Sequence, residues 1–145
     1  MVTTFKVTGH WDGCLRVKSK VRNFTLSYDE PPSLGGEDTA PNPVEAMLSS
    51  LVGCLNIVAC VVANEKKLPI EGIDITVEGD LDPRGFMGQD KTVRPGMLAI
   101  RYNMQVKGNI DDIQLNEFLG EVEKRCPVSD TLKNGTNITG SITKA

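Results

Sequence analysis

Two cysteines far apart in this 145-residue chain carry the side chains most suited to chemistry. Cys54 is centred in a long apolar run, Val44-Glu45-Ala46-Met47-Leu48-Ser49-Ser50-Leu51-Val52-Gly53-Cys54-Leu55, and Cys126 stands directly before Pro127. A thiolate is a nucleophile and can pass through sulfenic acid to a disulfide, so two thiols in distinct local settings point to redox work. Cys126 reads as a helix N-cap, because proline favours the first helical position, and backbone N–H groups there stabilise a thiolate. Cys54 falls mid-helix, where only a nearby cation would lower its pKa; without one it packs as a small hydrophobe. Cys60 follows six positions later, about 240 degrees round the helix, and reads as core. Cys14, beside a turn, has no activating neighbour in sequence and is assigned no role.

The elements that must position these thiols follow from pattern. Strand-like stretches at 3–8, 14–19 and 22–28 suggest a meander, ended by Pro31-Pro32 and Gly35-Gly36 in a loop through Pro41. Asn42 suits an N-cap, Pro43 the first helical position and Glu45 the third, a capping-box pattern opening a helix to about Lys66. Met47, Leu51, Cys54, Val58 and Val61 share one face of it, while Val44, Leu48, Leu55 and Val62 occupy others, so it must be buried on several sides. The small residues Ala46, Ser49, Ser50 and Gly53 allow another backbone, from a second helix or a partner subunit, to approach. Residues 70–79 and 97–107 alternate at period two as strands, and the loop from Asp80 to Gly96 reads as a hairpin end or a lid. A helix capped by Asp111 or Asp112 runs to Arg125, a short one from Pro127 to about Lys133 ends at Asn134-Gly135, and residues 136–143 read as a closing strand. This order predicts one α+β domain over residues 1–145 with mainly antiparallel pairing.

Composition narrows the function. The net charge of −3 leaves no basic stripe for nucleic acid, the start lacks a signal-peptide pattern, and no run of about 18 apolar residues reads as a membrane span. A cytoplasmic location with reduced thiols is expected, and the sequons at Asn23, Asn134 and Asn137 are read as chance. A single histidine, His10, speaks against a multi-histidine metal site, and no cofactor fingerprint occurs.

The stretch from Gly35-Gly36-Glu37-Asp38 through Asn42-Pro43-Val44-Glu45 to Gly53-Cys54-Leu55, with Arg125-Cys126-Pro127-Val128-Ser129 and Asn137-Ile138 far downstream, resembles the OsmC/Ohr family. That resemblance implies an intertwined homodimer with two central helices and two active sites at its interface. It implies a thiol-dependent peroxidase that reduces organic hydroperoxides, with Cys54 peroxidatic and Cys126 resolving, regenerated by a lipoyl-type or small-molecule dithiol reductant, with no bound cofactor. The family's Gly-Gly-Arg-Asp-Gly-like turn is matched here by Gly9-His10-Trp11-Asp12-Gly13, so Trp11 stands where the thiolate-holding arginine is expected. Arg16 and Arg22, on the following strands, are the candidate replacements. Glu45 is the candidate carboxylate, one place later than the family pattern because Val44 intervenes, a step of about 100 degrees on a helix. Two alternatives stay open: an OsmC-like dimer that binds an apolar ligand or senses oxidation, and a purely structural dimer.

Overall fold

The computed structural model describes the whole chain, Met1–Ala145, which divides into two compact units, Met1–Met47 and Leu48–Ala145. Its class is mixed α and β with antiparallel sheets, as the element order predicts.

The first unit holds strands β1 (Thr8–Trp11), β2 (Val17–Val21) and β3 (Phe24–Tyr28), an antiparallel meander in which Trp11 pairs with Val17 and Val17 with Tyr28. The first strand therefore begins where the sequence expected it to end, and residues 1–7 form no ladder. Alternation marks a chain that can be a strand, but only a neighbour supplies the hydrogen bonds that make it one.

Beyond β3 the chain turns through a 3-10 segment, Pro32–Leu34, closed by Gly35 at φ 91°. A Cβ on Gly36 would sit 1.8 Å from the Glu30 carbonyl oxygen, so this position accepts no side chain. The buried Asp29 carboxylate organises the loop, accepting from Glu30 N–H at 2.8 Å and from Thr39 N–H and hydroxyl at 3.1 and 2.7 Å.

Helix α1 (Pro43–Lys66) opens with the expected reciprocal cap: Glu45 N–H donates to Asn42 Oδ1, and Asn42 N–H to Glu45 Oε2, both at 2.8 Å. Its 24 apolar-rich residues would be long enough to cross a membrane by length and composition, contrary to the sequence reading. Leu51, Leu55, Ala59, Val62 and Ala63 nevertheless form a buried stripe at helical spacing. The chain covers only that side; Ile57 and Val61 face outward. The expectation of burial on several sides thus fails within one chain, and a Cβ added at Gly53 would meet nothing within 4 Å.

In the second unit β4 (Ile70–Asp80) and β5 (Ala99–Gly108) pair antiparallel. The cross-strand pairs Ile73–Val106, Ile75–Met104 and Val77–Tyr102 pack on the core, while Asp74–Gln105, Thr76–Asn103 and Glu78–Arg101 take the other face, the division a period of two produces. The connection from Asp80 to Gly96 contains one helical turn, α2 (Pro83–Phe86), capped by Asp82. Helix α3 (Asp112–Arg125), with a capping box from Asp111 and Gln114, places Phe118, Val122 and Cys126 at i, i+4 and i+8 in the same core as α1. Helix α4 (Pro127–Asn134) follows without a loop. Residues 136–143 are exposed and unpaired rather than a strand: no edge in this chain receives them.

Candidate functional site

Cys126 is the joint between two helices, ending α3 and capping α4. Pro127 cannot continue the hydrogen-bonding of α3 and is preorganised for the first position of α4, so the residue before it is forced into an extended conformation, here φ −81° and ψ 107°. Its side chain takes the capping role: Ser129 N–H donates to Cys126 Sγ at 3.4 Å.

Cys54, half-buried on α1, packs against the core that contains Cys126, and is near enough to it to act on its thiol. The fold thus brings together two cysteines separated by 72 positions in sequence. Cys126 is fully buried, and burial pushes its thiol above the ordinary value, with the neighbouring Cys54 acting in the same direction. The N–H groups of Ser129 and Val128 pull the other way, as the sequence reading anticipates, but do not outweigh burial. The expectation of a helix-start thiolate is therefore corrected: enclosure outweighs the helix-start N–H groups and favours the neutral thiol at Cys126.

The other predicted residues are placed as follows. Glu45 lies in the first turn of α1 with its carboxylate engaged by the Asn42 N–H. Arg16 is in the first unit, ion-paired with Glu37 and donating to the Asp12 carbonyl at 3.4 Å. Arg22, at φ 53°, stacks its guanidinium 5.0 Å from the Phe24 ring centre. Trp11 is exposed, its indole N–H donating to the Cys14 carbonyl at 2.7 Å. Arg125, next to Cys126 in sequence, turns away to grip both carboxylate oxygens of Glu65 on α1.

Sequence reasoning passed over Tyr102 and Glu123. The Tyr102 hydroxyl donates to Glu123 Oε1, one turn before Cys126. Burial first, then that bond, hold the Tyr102 phenol well above its ordinary value, with Cys126 close enough to add to the effect. The one available signal is a tyrosine at a core-facing position of a strand, where a buried hydroxyl needs a partner.

A cavity of about 190 Å³ lies elsewhere, lined by Asn56, Cys60 and Glu71 among others and by neither Cys54 nor Cys126. Its thiol is exposed, so Cys60 is not the core residue the sequence suggested.

The family model described as OsmC-like protein matches residues 35–141. The chain belongs to the OsmC-like family. Among solved structures, an OsmC-like protein from Mycoplasma pneumoniae is 22% identical, with 92% of this chain and 89% of that one covered and a TM-score of 0.78. An organic hydroperoxide resistance protein OsmC from Legionella pneumophila is 20% identical over 93% of each chain, TM-score 0.71. An organic hydroperoxide resistance protein from Elizabethkingia anophelis is 16% identical over 92% of this chain and 90% of that one, TM-score 0.72. At such identities the likeness speaks for the OsmC-like fold. Among curated proteins none matches the chain.

Proposed function

We propose that this OsmC-like protein is a cytoplasmic, homodimeric cysteine peroxidase that reduces organic hydroperoxides in the response to oxidative stress, built as one domain over residues 1–145. The observation that carries the reading is the approach of the Cys54 thiol to Cys126 at the α3–α4 joint. The name organic hydroperoxide resistance protein, borne by two structural relatives, supports the substrate class.

The two sulfurs differ in a way that suits two successive roles. Cys54, half-buried, is the thiol that meets the peroxide. Its thiolate attacks the distal oxygen of ROOH; the O–O bond breaks, the alkoxide takes a proton and leaves as alcohol, and Cys54 becomes a sulfenic acid. Cys126, enclosed and protonated, is poor at reacting with a peroxide itself but stands beside the sulfenic sulfur. Its sulfur displaces hydroxide from Cys54, the proton it gives up completes a water molecule, and a Cys54–Cys126 disulfide closes. A dithiol, lipoyl-type or a small molecule, then reopens it by exchange.

The homodimer is supported by apolar side chains the single chain leaves in water, among them Phe5, Trp11 and Phe24 in the first unit and Ile57 on α1. Arg16 and Arg22 are the candidate cations for the Cys54 thiolate; the alanine variant of the one that acts is expected to slow alkylation of Cys54 at neutral pH.

Intact-mass measurement after one equivalent of cumene hydroperoxide tests the reading. Reduced protein is expected to lose two hydrogens, to gain one oxygen instead in Cys126→Ser, and to remain unchanged in Cys54→Ser. Persistence of both free thiols in the native chain would overturn it and favour the dimer that binds an apolar ligand.

A further inference from the structure

We propose that Tyr102 and Glu123 are positioning residues for Cys126: by tying the last turn of α3 to β5 they fix its sulfur against that of Cys54 and so govern disulfide closure. This rests on the redox reading above and adds to it a step-specific control.

The α3–α4 joint is where such control is needed. At Pro127 the ladder of helical hydrogen bonds is interrupted, so the placement of Cys126 depends on what anchors the end of α3. Two side-chain contacts do so, both made by residues just before the cysteine. Three residues before it, the exposed Glu123 carboxylate accepts from the Tyr102 hydroxyl on β5, a strand whose register with β4 is set from Ile70–Gly108 to Asp80–Ala99. One residue before it, Arg125 holds Glu65 near the end of α1, the helix that bears Cys54. The first contact joins the joint to the sheet and the second to the helix.

Helix chemistry alone does not select an acid at Glu123. The last turn of a helix is its negative end, where Lys124 and Arg125 are favourable and a carboxylate is not. The phenol across on β5 supplies the missing donor. Tyr102 is half-buried and packs on the core that includes Cys126. Burial and the Glu123 bond keep the phenol protonated, so it is available as a donor through the neutral range.

Rapid mixing of reduced protein with cumene hydroperoxide, followed by dimedone trapping and mass spectrometry, separates sulfenic acid formation from disulfide closure. In Tyr102→Phe, sulfenic acid is expected to form at the native rate while closure slows about tenfold, the scale of one hydrogen bond to a charged group. Glu123→Ala, a change at an exposed position, should slow closure equally, the double variant no further, and Glu123→Gln, which keeps an acceptor oxygen, should restore most of the rate. The equilibrium of the disulfide with dithiothreitol should shift about tenfold toward the dithiol in the same two variants. Native closure rates and an unchanged equilibrium in both Tyr102→Phe and Glu123→Ala would overturn the inference. Failure of the peroxidase reading shows separately, as absence of sulfenic acid in the native chain, and leaves the dithiothreitol measurement to decide.

Discussion

In residues 48–145 the buried side chains are apolar, Leu55, Val62, Phe118 and Val122 among them, whereas the buried residues of 1–47 are Ser19 and Asp29. The second region folds around a hydrocarbon core that encloses Cys126 and has Cys54 packed against it. The first is ordered by strand ladders and by hydrogen bonds to one carboxylate, and leaves its large apolar side chains exposed. Apolar area removed from water is the main force that holds a domain together, so a region without it owes its order to polar contacts or to a surface supplied by another copy. The contrast separates what each region contributes: one carries the cysteine pair, the other carries the surface left to be covered.

The sharpest blow to the second region is Phe118→Ala. Phe118 is fully buried in the core it shares with α1, and emptying such a site costs about 3–5 kcal/mol. Thermal unfolding should register this as a loss of Tm, together with loss of disulfide closure at temperatures where the native protein is intact. A change below about 1 kcal/mol would mean that Phe118 is not central to this core.

The next effect tests whether a second copy covers the apolar side chains that one chain leaves exposed, in the first region and on α1. Phe5→Ser and Ile57→Ser alter side chains that one chain leaves 88% and 69% exposed. If they remained in water, each change would fall within about 0.5 kcal/mol. In the proposed homodimer each removes about 2 kcal/mol of apolar burial per copy, and sedimentation equilibrium should show dissociation at concentrations where the native protein stays dimeric. Monomeric native protein with an unaltered Tm in both variants would leave the comparison standing and remove its dimeric explanation.

How much of this was legible in the sequence follows the same division. The Asn42–Glu45 cap, the alternation of β4 and β5 and the break at Cys126-Pro127 were legible because each is decided within a few residues. The first strand and the segment 136–143 were not, since alternation there has no ladder partner written beside it. The face of α1 that would be buried was also hidden, because a helix apolar on all sides offers no stripe to choose. Of the candidate site, the two cysteines could be picked out, but the upward shift of Cys126 is a consequence of enclosure, and the Tyr102–Glu123 bond joins positions 21 apart.

A smaller effect distinguishes the polar order of the first region. Hydrogen bonds from the Thr39 hydroxyl, then from its N–H, hold the Asp29 carboxyl down at about 2, against 3.8 ordinarily. Because the folded value lies below the unfolded one, this group stabilises the fold above about pH 4 and the contribution is lost as pH falls toward 2. Asp29→Asn should flatten that part of the acid-unfolding curve, and amide exchange should quicken first at Glu30, Glu37 and Thr39, whose N–H groups it binds. An acid limb identical to that of the native protein would show that the loop does not depend on the carboxylate.

The smallest effect concerns Glu45, which stands at the opening of α1 where the two regions meet in sequence. Loss of either half of the reciprocal cap, in Asn42→Ala or Glu45→Ala, should cost about 1 kcal/mol, read as a small fall in Tm. Glu45→Gln is the informative change, because glutamine also suits the third position of a capping box and can accept the Asn42 N–H while carrying no charge. Hydroperoxide turnover that falls in Glu45→Ala but holds in Glu45→Gln would assign the residue to the cap alone. Turnover that falls in both, with Tm held in the glutamine variant, would assign its charge to the chemistry. The first outcome is expected, since the carboxylate is already committed to the backbone of Asn42 and a helix start that depends on it cannot release it during the reaction.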